Sequence, residues 1–444
     1  MQESQSSGYI ENEFRTFSLY TLSDRAIPAI ADGLKPSGRR VLYTLVLNNN
    51  TKSKTATIAG AAMRYHPHQA PEQAANTLAA FYKNNVPLLT GHGSFGTLLE
   101  PLSFGAPRYT SIEMSSFAQD ALLVDYDIVP MVPNYDDTTV EPEHFLPLVP
   151  LVLLNPSQGM AVGFASKIAP RDLSDIIRAQ IAHLKDKPVE DVMPFFKPTD
   201  DRAVEKKPGK GKNTKWTFTG EAKLLSKTSV QISKLPYGIS HTDLTDRLNA
   251  MLENGKIVDY DDKSKDYVNI IVHFARGALS GIKDSALLEE LGLVSIFHEN
   301  MNMLDFDGNT VRNLSFVETV QEFTTWRLQW FIKRYERLLA LIQEEIQRYL
   351  DIICAIEKNV GSVARKISNK TELIEMLVVY GIVHTEYIAQ LPVYRFTEEE
   401  KNKVQQKLEE ARKKQQEYEE LLKSEDKRKQ VYVSELTTIL KKYG

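Results

Sequence analysis

Apolar residues recur at spacings of three and four along several stretches of the chain, and elsewhere cluster in short runs between prolines and glycines. From Phe14 to about Leu47 the pattern predicts a helix, a break at Ile27-Pro28, a turn at Asp32-Gly33, and a second helix that starts near Pro36 and covers Arg39 to Leu47. Thr55 to Asn84 repeats the theme, with Ile58 and Ala62, then Ala74, Leu78 and Phe81, interrupted by Tyr65-His66-Pro67-His68. Helices paired across a break fit a helix-turn-helix module whose second helix enters a major groove, and fit any small helical domain equally well. Gly91-His92-Gly93-Ser94-Phe95-Gly96 follows no clear strand and opens no clear helix, so it reads as a flexible or tightly turned loop and not as a nucleotide cradle.

Prolines and glycines alternate with apolar runs from Pro130 to Pro170, which predicts short strands and turns. The most apolar stretch, Phe145 to Leu154, contains Pro147 and Pro150, is too short to span a membrane and reads as a buried strand-and-turn segment. Asp172 to Asn309 looks mixed, with strands near Ser229 to Ser233 and Tyr267 to Phe274 and a mobile basic loop over Lys206 to Lys212. The last third changes character. Leu328, Phe331, Tyr335, Leu338, Ile342, Ile346, Tyr349, Ile353, Ile356 and Val360 form one helical stripe, predicting a helix over about Val317 to Val360. Val404, Leu408, Ala411, Tyr418 and Leu422 form a second stripe, interrupted at Gln415, and Ser362 to Arg395 lies between them as a small cap. An antiparallel helical arm with a globule at its tip accounts for this pattern, and such a tip is a natural dimer contact.

Length and composition add that 444 residues form several domains, roughly two to four. With 42% hydrophobic and 25% charged residues, neither disorder nor a disulfide-stapled mini-fold fits. The single cysteine, Cys354, has no intramolecular partner, and the first twenty residues lack an apolar signal segment. Both point to the cytoplasm. A net charge of −4 argues at first against a nucleic-acid partner, but the charge is segregated. Phe14 to Ser115 carries ten Lys/Arg against five acids, a balance of +5, so the remainder carries −9. That distribution suits a phosphate-facing surface on one part only.

No zinc-ligand spacing, Walker segment or His-Glu-x-x-His occurs. What remains is Arg108-Tyr109-Thr110, downstream of Arg25, Lys35, Arg39, Arg40, His66 and His68. A phenol is a weak nucleophile at neutral pH, so attack on a phosphodiester needs nearby cations, a base or a metal. By residue type alone Arg108-Tyr109 is also an ordinary surface pair, and His66 a structural histidine beside a turn.

The order of motifs is more specific. Asp24-Arg25-Ala26-Ile27-Pro28, Asp32-Gly33-Leu34-Lys35-Pro36 and Arg39-Arg40-Val41-Leu42-Tyr43 come first, followed by Tyr65-His66-Pro67-His68. Then come Gly93-Ser94-Phe95-Gly96, Pro107-Arg108-Tyr109-Thr110, Val132-Pro133-Asn134-Tyr135-Asp136 and Leu153-Leu154-Asn155-Pro156-Ser157-Gln158-Gly159-Met160-Ala161-Val162-Gly163. In this order the chain resembles the A-type, breakage-reunion subunits of type IIA DNA topoisomerases, gyrase and topoisomerase IV, over nearly its whole length.

The resemblance implies an α+β multidomain fold. Residues 1–165 would form a winged-helix, helix-turn-helix DNA-cleavage domain, 166–312 an α/β tower, and 313–444 a long antiparallel coiled-coil arm with a dimerising helical tip at about 361–397. It implies Tyr109 as the nucleophile that keeps the 5′ phosphate of a transient double-strand break, and Arg108 as the group stabilising charge on that phosphate. Arg25 and His66 would support the transition state, with Lys35, Arg39, Arg40 and His68 holding phosphates and Met160 in the position of an apolar wedge between base pairs. The chain shows no acidic metal cluster and no ATP motif, so Mg²⁺ and ATP would be bound by a large ATPase/Toprim partner subunit. Duplex DNA would be the substrate, and the complex a heteromer built on a homodimer. Ala31, Gly38 and Gln69 depart from the bacterial pattern, leaving individual phosphate contacts open. No β-rich wrapping region is recognisable after the arm, so directed negative supercoiling is not expected; brevity and the compact segment between Gly96 and Tyr109 make the sequence look most like the medium subunit of T-even-type phage topoisomerases, placed in the host cytoplasm. A non-catalytic architectural DNA-binding protein is the alternative; a tyrosine recombinase lacks its usual arginine and histidine constellation and would form a 3′ linkage.

Overall fold

The computed structural model describes residues 20, 22, 26–67, 70–161, 163–209, 211–367 and 369–444. Arg25 and His68, both expected at the site, and Gln69, one of the departures, lie outside the described residues. The chain forms two compact units, one running to Arg327 and taking in Val433–Gly444, the other Leu328–Tyr432. Helices and antiparallel sheets both contribute, as expected of an α+β chain. Among the described residues no helix is long and apolar enough to cross a membrane.

In the larger unit, Pro36 opens helix α1 (Pro36–Leu47), where its fixed φ suits a first turn that needs no N–H. This helix buries Val41, Leu42, Tyr43 and Leu45. Helices α2 (Thr55–Ala62) and α3 (Pro71–Ala79) follow, the latter again with proline at its start. Strands β1 (Ser53–Lys54), β2 (Leu89–His92) and β3 (Ser111–Met114) form an antiparallel sheet in the order β1-β3-β2. Ser53 opposes Ile112 and Leu89 opposes Met114, so Ile112 and Met114 face inward while Ser111 and Glu113 alternate with them. The loop expected over Gly91 to Gly96 therefore begins later: Gly91 and His92 end β2, and the turn starts at Gly93. Four residues with a central glycine carry almost no alternation, and the pairing that makes them a strand comes from residues about twenty positions downstream.

Beyond this module, hairpins Met131–Pro133/Val140–Pro142 and Ser157–Ala161/Phe164–Ile168 flank the apolar run Phe145–Leu154. That run is buried throughout, but its last four residues form a helical turn after Pro150 and not a strand. Further on, a three-stranded sheet joins Glu205–Pro208, Thr214–Thr219 and Val294–Glu299. The basic segment expected as a loop is thus partly strand, because Lys206 and Lys207 pair with Trp216 and Lys215. A four-stranded sheet packs Val230, Ile232, Ile270 and Val272 against helices His241–Glu253 and Asp284–Leu291 through Leu244, Leu248, Leu287 and Leu291. Buried Glu299 ties these parts together: it takes the Arg171 fork, the second bond being 2.8 Å, and accepts from Trp216 Nε1 at 2.7 Å and the Ala169 amide at 2.9 Å.

Helix Phe316–Glu357 enters the smaller unit and ends at Asn359, which takes a left-handed φ of 53°. Tyr335 meets Tyr418 along the expected stripes, with ring centroids 5.8 Å apart, and Phe331 meets Tyr432, which lies beyond the second stripe, at 5.0 Å. In helix Glu398–Lys423 the buried positions are Val404, Leu408, Ala411 and Leu421, so the last inward leucine is Leu421 and not Leu422. A break at Ser424 precedes helix Glu425–Tyr443. The cap between the stripes has its own core of Ile352, Ala355, Val360, Leu377, Ile382 and Ile388.

Candidate nucleophile and nucleic-acid interface

Tyr109 lies in a turn in which its amide donates to Ala106 O at 2.8 Å. The first amides of an α-helix have no partner within the helix, and here the start of α2 uses them to hold this turn. Ala56 N donates to Pro107 O at 3.2 Å and Thr55 N to Thr110 O at 3.1 Å. Thr110 Oγ1 donates to Thr55 Oγ1 at 2.8 Å, both residues being buried, and Lys54 Nζ donates to the Tyr109 carbonyl at 3.3 Å. Gly93, with φ at +106°, passes so close that a Cβ there would lie 3.3 Å from the Thr110 methyl. The backbone is therefore fixed on several sides while the phenol is 70% exposed, with the Arg108 guanidinium carbon 4.9 Å from its ring centre.

Five other described tyrosines before residue 165 hold their hydroxyl proton more tightly than a free phenol does. Burial raises the hydroxyl pKa of Tyr43, Tyr82 and Tyr126, and pushes Tyr65 up to about 12. Tyr135 is raised by its bond with Asp136, and the Tyr20 hydroxyl pairs with His66 Nε2 at 2.6 Å.

A second group surrounds Lys35. Its ammonium donates to Gln158 O at 2.7 Å, and burial lowers its pKa, so an anion beside it would favour the charged form. Lys35 lines a cavity of about 490 Å³ with Ser37, Gly38, Gln73, Thr77 and Gln158. Next to Gln158, a Cβ on Gly159 would fall 1.9 Å from Ala26 O, so only glycine fits where the hairpin crosses that segment. One residue further out, Met160 is 79% exposed on the hairpin.

The third group is internal. His66 is buried, between the Tyr20 hydroxyl and the Tyr135 ring, 5.4 Å away. Arg39 places its fork on Asp32 at 2.7 and 3.0 Å, and Asp32 also accepts from the Leu34 and Phe145 amides. Arg40 does the same with Glu141 at 2.6 and 2.8 Å. Both arginines were expected on phosphates; the structure places them inside the fold, 9% and 6% exposed, each facing a carboxylate of this chain.

The family of DNA gyrase/topoisomerase IV A subunits matches residues 25–437. The chain belongs to that family. The DNA gyrase A subunit of Brachyspira hyodysenteriae is 28% identical over 98% of this chain and 56% of its own length. The DNA gyrase A subunit of Campylobacter fetus is 30% identical over 78% of this chain and 44% of its own length. The DNA topoisomerase 4 A subunit of Escherichia coli K12 is 28% identical over 75% of this chain and 49% of its own length. The chain spans about half the length of these relatives.

In this member of the gyrase/topoisomerase IV family, two of the departures, Ala31 and Gly38, lie among the described residues, and nothing in the structure explains them. Ala31 is buried, and a Cβ on Gly38 would meet Leu78 at an ordinary 3.6 Å. Among the described residues no three His, Cys, Asp or Glu side chains come together as a group that could hold a metal. Sequence reasoning does not reach Lys54, Thr55, Asp32 and Glu141 as parts of the site. Lys54 is visible there only as one of ten basic residues, and Glu141 lies 101 positions from the arginine it serves.

Proposed function

We propose that this chain is the DNA-cleaving and religating subunit of a type IIA topoisomerase. Tyr109 Oη attacks a backbone phosphorus; the new P–O bond forms as the P–O3′ bond breaks, the phenolic proton passes to a base or water, and the 3′ oxygen leaves as a hydroxyl. The 5′ phosphate stays on Tyr109, which conserves the bond for religation without ATP. Arg108, fixed beside the ring, balances charge on the attacked phosphate. Lys35 offers a cation to the DNA backbone, His66 supports the transition state from inside the fold, Arg25 and His68 are assigned to the same chemistry by resemblance alone, and Arg39 and Arg40 act from inside by holding α1 and its neighbours in place. Met160 is the apolar wedge that unstacks a base step and bends the duplex.

The fold terms of this reading are a winged-helix cleavage domain, a tower, and a coiled-coil arm that self-associates at its tip. Exposed Val378, Val379, Val383 and Tyr394 on the cap support that last point. An ATPase/Toprim partner subunit supplies Mg²⁺ and ATP hydrolysis, and the complex relaxes or decatenates DNA, as in the cytoplasm of a phage-infected host. The observation that carries the reading is an exposed phenol on a fixed backbone with a guanidinium against its ring.

The test is to denature a reaction containing the partner subunit, Mg²⁺ and duplex DNA. Protein should remain attached to 5′ ends, and Tyr109→Phe should abolish the adduct while keeping DNA affinity. Adducts undiminished in Tyr109→Phe overturn the assignment. Binding and bending by the wild-type chain with no adduct return the architectural alternative.

A further inference from the structure

The strand β1 ends on Lys54, the residue before α2, and three consecutive residues there grip the Tyr109 turn by different means. Thr55 and Ala56 use backbone amides, Thr55 adds its hydroxyl, and Lys54 reaches across with its side chain to the carbonyl of Tyr109 itself. Lys54 also sits in register with Ser111, two residues past the nucleophile, so its backbone and its side chain bracket Tyr109 from one side. The Arg108 guanidinium lies over the Tyr109 ring itself.

A solvent-facing lysine on a carbonyl contributes little to stability, since it gives up side-chain freedom for one bond that water can replace. Its value lies in where the charge is. An ammonium has three donors, and one on the Tyr109 carbonyl leaves the cation one residue's width from a side chain whose target is a phosphodiester anion. We propose that Lys54 is a positioning residue for cleavage: by holding the Tyr109 carbonyl it fixes the direction in which the phenol leaves the backbone, and its charge draws the attacked phosphate towards that phenol. This inference rests on Tyr109 being the nucleophile. A small misplacement of a reacting group is costly in rate, because near-attack geometry needs the reacting atoms within roughly 3–3.5 Å.

The test uses the full chain with its partner subunit, Mg²⁺ and a labelled duplex, and measures the cleavage rate at saturating DNA separately from DNA affinity. Lys54→Met should lower the saturated rate about tenfold, less than the roughly 10²–10³-fold loss of a donor touching the developing charge. DNA affinity should stay within about twofold and the thermal midpoint should be unchanged, since Lys54 is exposed on the surface. Lys54→Arg should restore most of the rate, which a purely structural role would not require. A wild-type rate in Lys54→Met, or a loss confined to affinity, overturns the proposal while leaving Tyr109 as nucleophile. Adduct formation that persists in Tyr109→Phe overturns both.

Discussion

Two pairs of neighbouring residues look alike in the sequence and behave oppositely in the fold. Arg39-Arg40 and Arg108-Tyr109 both place guanidinium groups in the basic first quarter of the chain. On α1 both guanidinium groups point inward and are neutralised by Asp32 and Glu141. In the Tyr109 turn the backbone is bonded on several sides while the phenol faces outward. Basic residues in this stretch are therefore of two kinds: some are held inside the fold by a carboxylate, and others face outward. The count of charges cannot separate them, but the location of a carboxylate partner can.

The sharpest break of this comparison is Tyr109→Phe. Covalent adducts, counted on denaturing gels, should vanish, while stability by urea unfolding should change by no more than about 0.5 kcal/mol because the phenol is exposed. Glu141→Ala should have the reverse profile, lowering stability by about 3–5 kcal/mol by leaving Arg40 buried and uncompensated. Pairing Arg40→Met with Glu141→Leu should recover most of that loss, and an undiminished loss in the double variant would show that the pair does more than neutralise itself. Met160→Ala should leave the urea midpoint unchanged and reduce DNA bending, read by fluorescence energy transfer across a labelled duplex, with a several-fold drop in cleavage.

The smallest effect separates Lys35 from the paired arginines. Burial lowers its pKa, so the folded state disfavours the ammonium that the unfolded chain carries freely. That penalty is fully present below the depressed folded value and is relieved as pH rises from there towards the ordinary 10.5. Lys35→Met should therefore raise stability at neutral pH, with the gain shrinking at high pH, and should weaken DNA binding at low salt. A stability gain that does not depend on pH would mean that packing, and not charge, limits Lys35.

Long-period features were legible in the sequence because their signal is local. The stripes from Leu328 onward and the helix start at Pro36 follow from spacing and from proline at a first turn. Tyr109 stands out as a candidate only through the order of motifs around it. The illegible parts depend on distant partners. Leu89–His92 is a strand because Ser111–Met114 is beside it, Lys206 and Lys207 are ordered by Trp216 and Lys215, and Arg40 is structural because Glu141 is within reach. Leu421 in place of Leu422 shows how a stripe drifts by one position after a polar interruption at Gln415.

The crossing at Gly159 has a mechanical meaning. With Ala26 O occupying the place of any side chain, the base of the hairpin has no slack next to Lys35 and cannot tilt without a clash. On the proposal that Met160 is the wedge, it stands one residue from a backbone crossing where only glycine fits, and the extent of bending would be tuned by the length and shape of the side chain at residue 160.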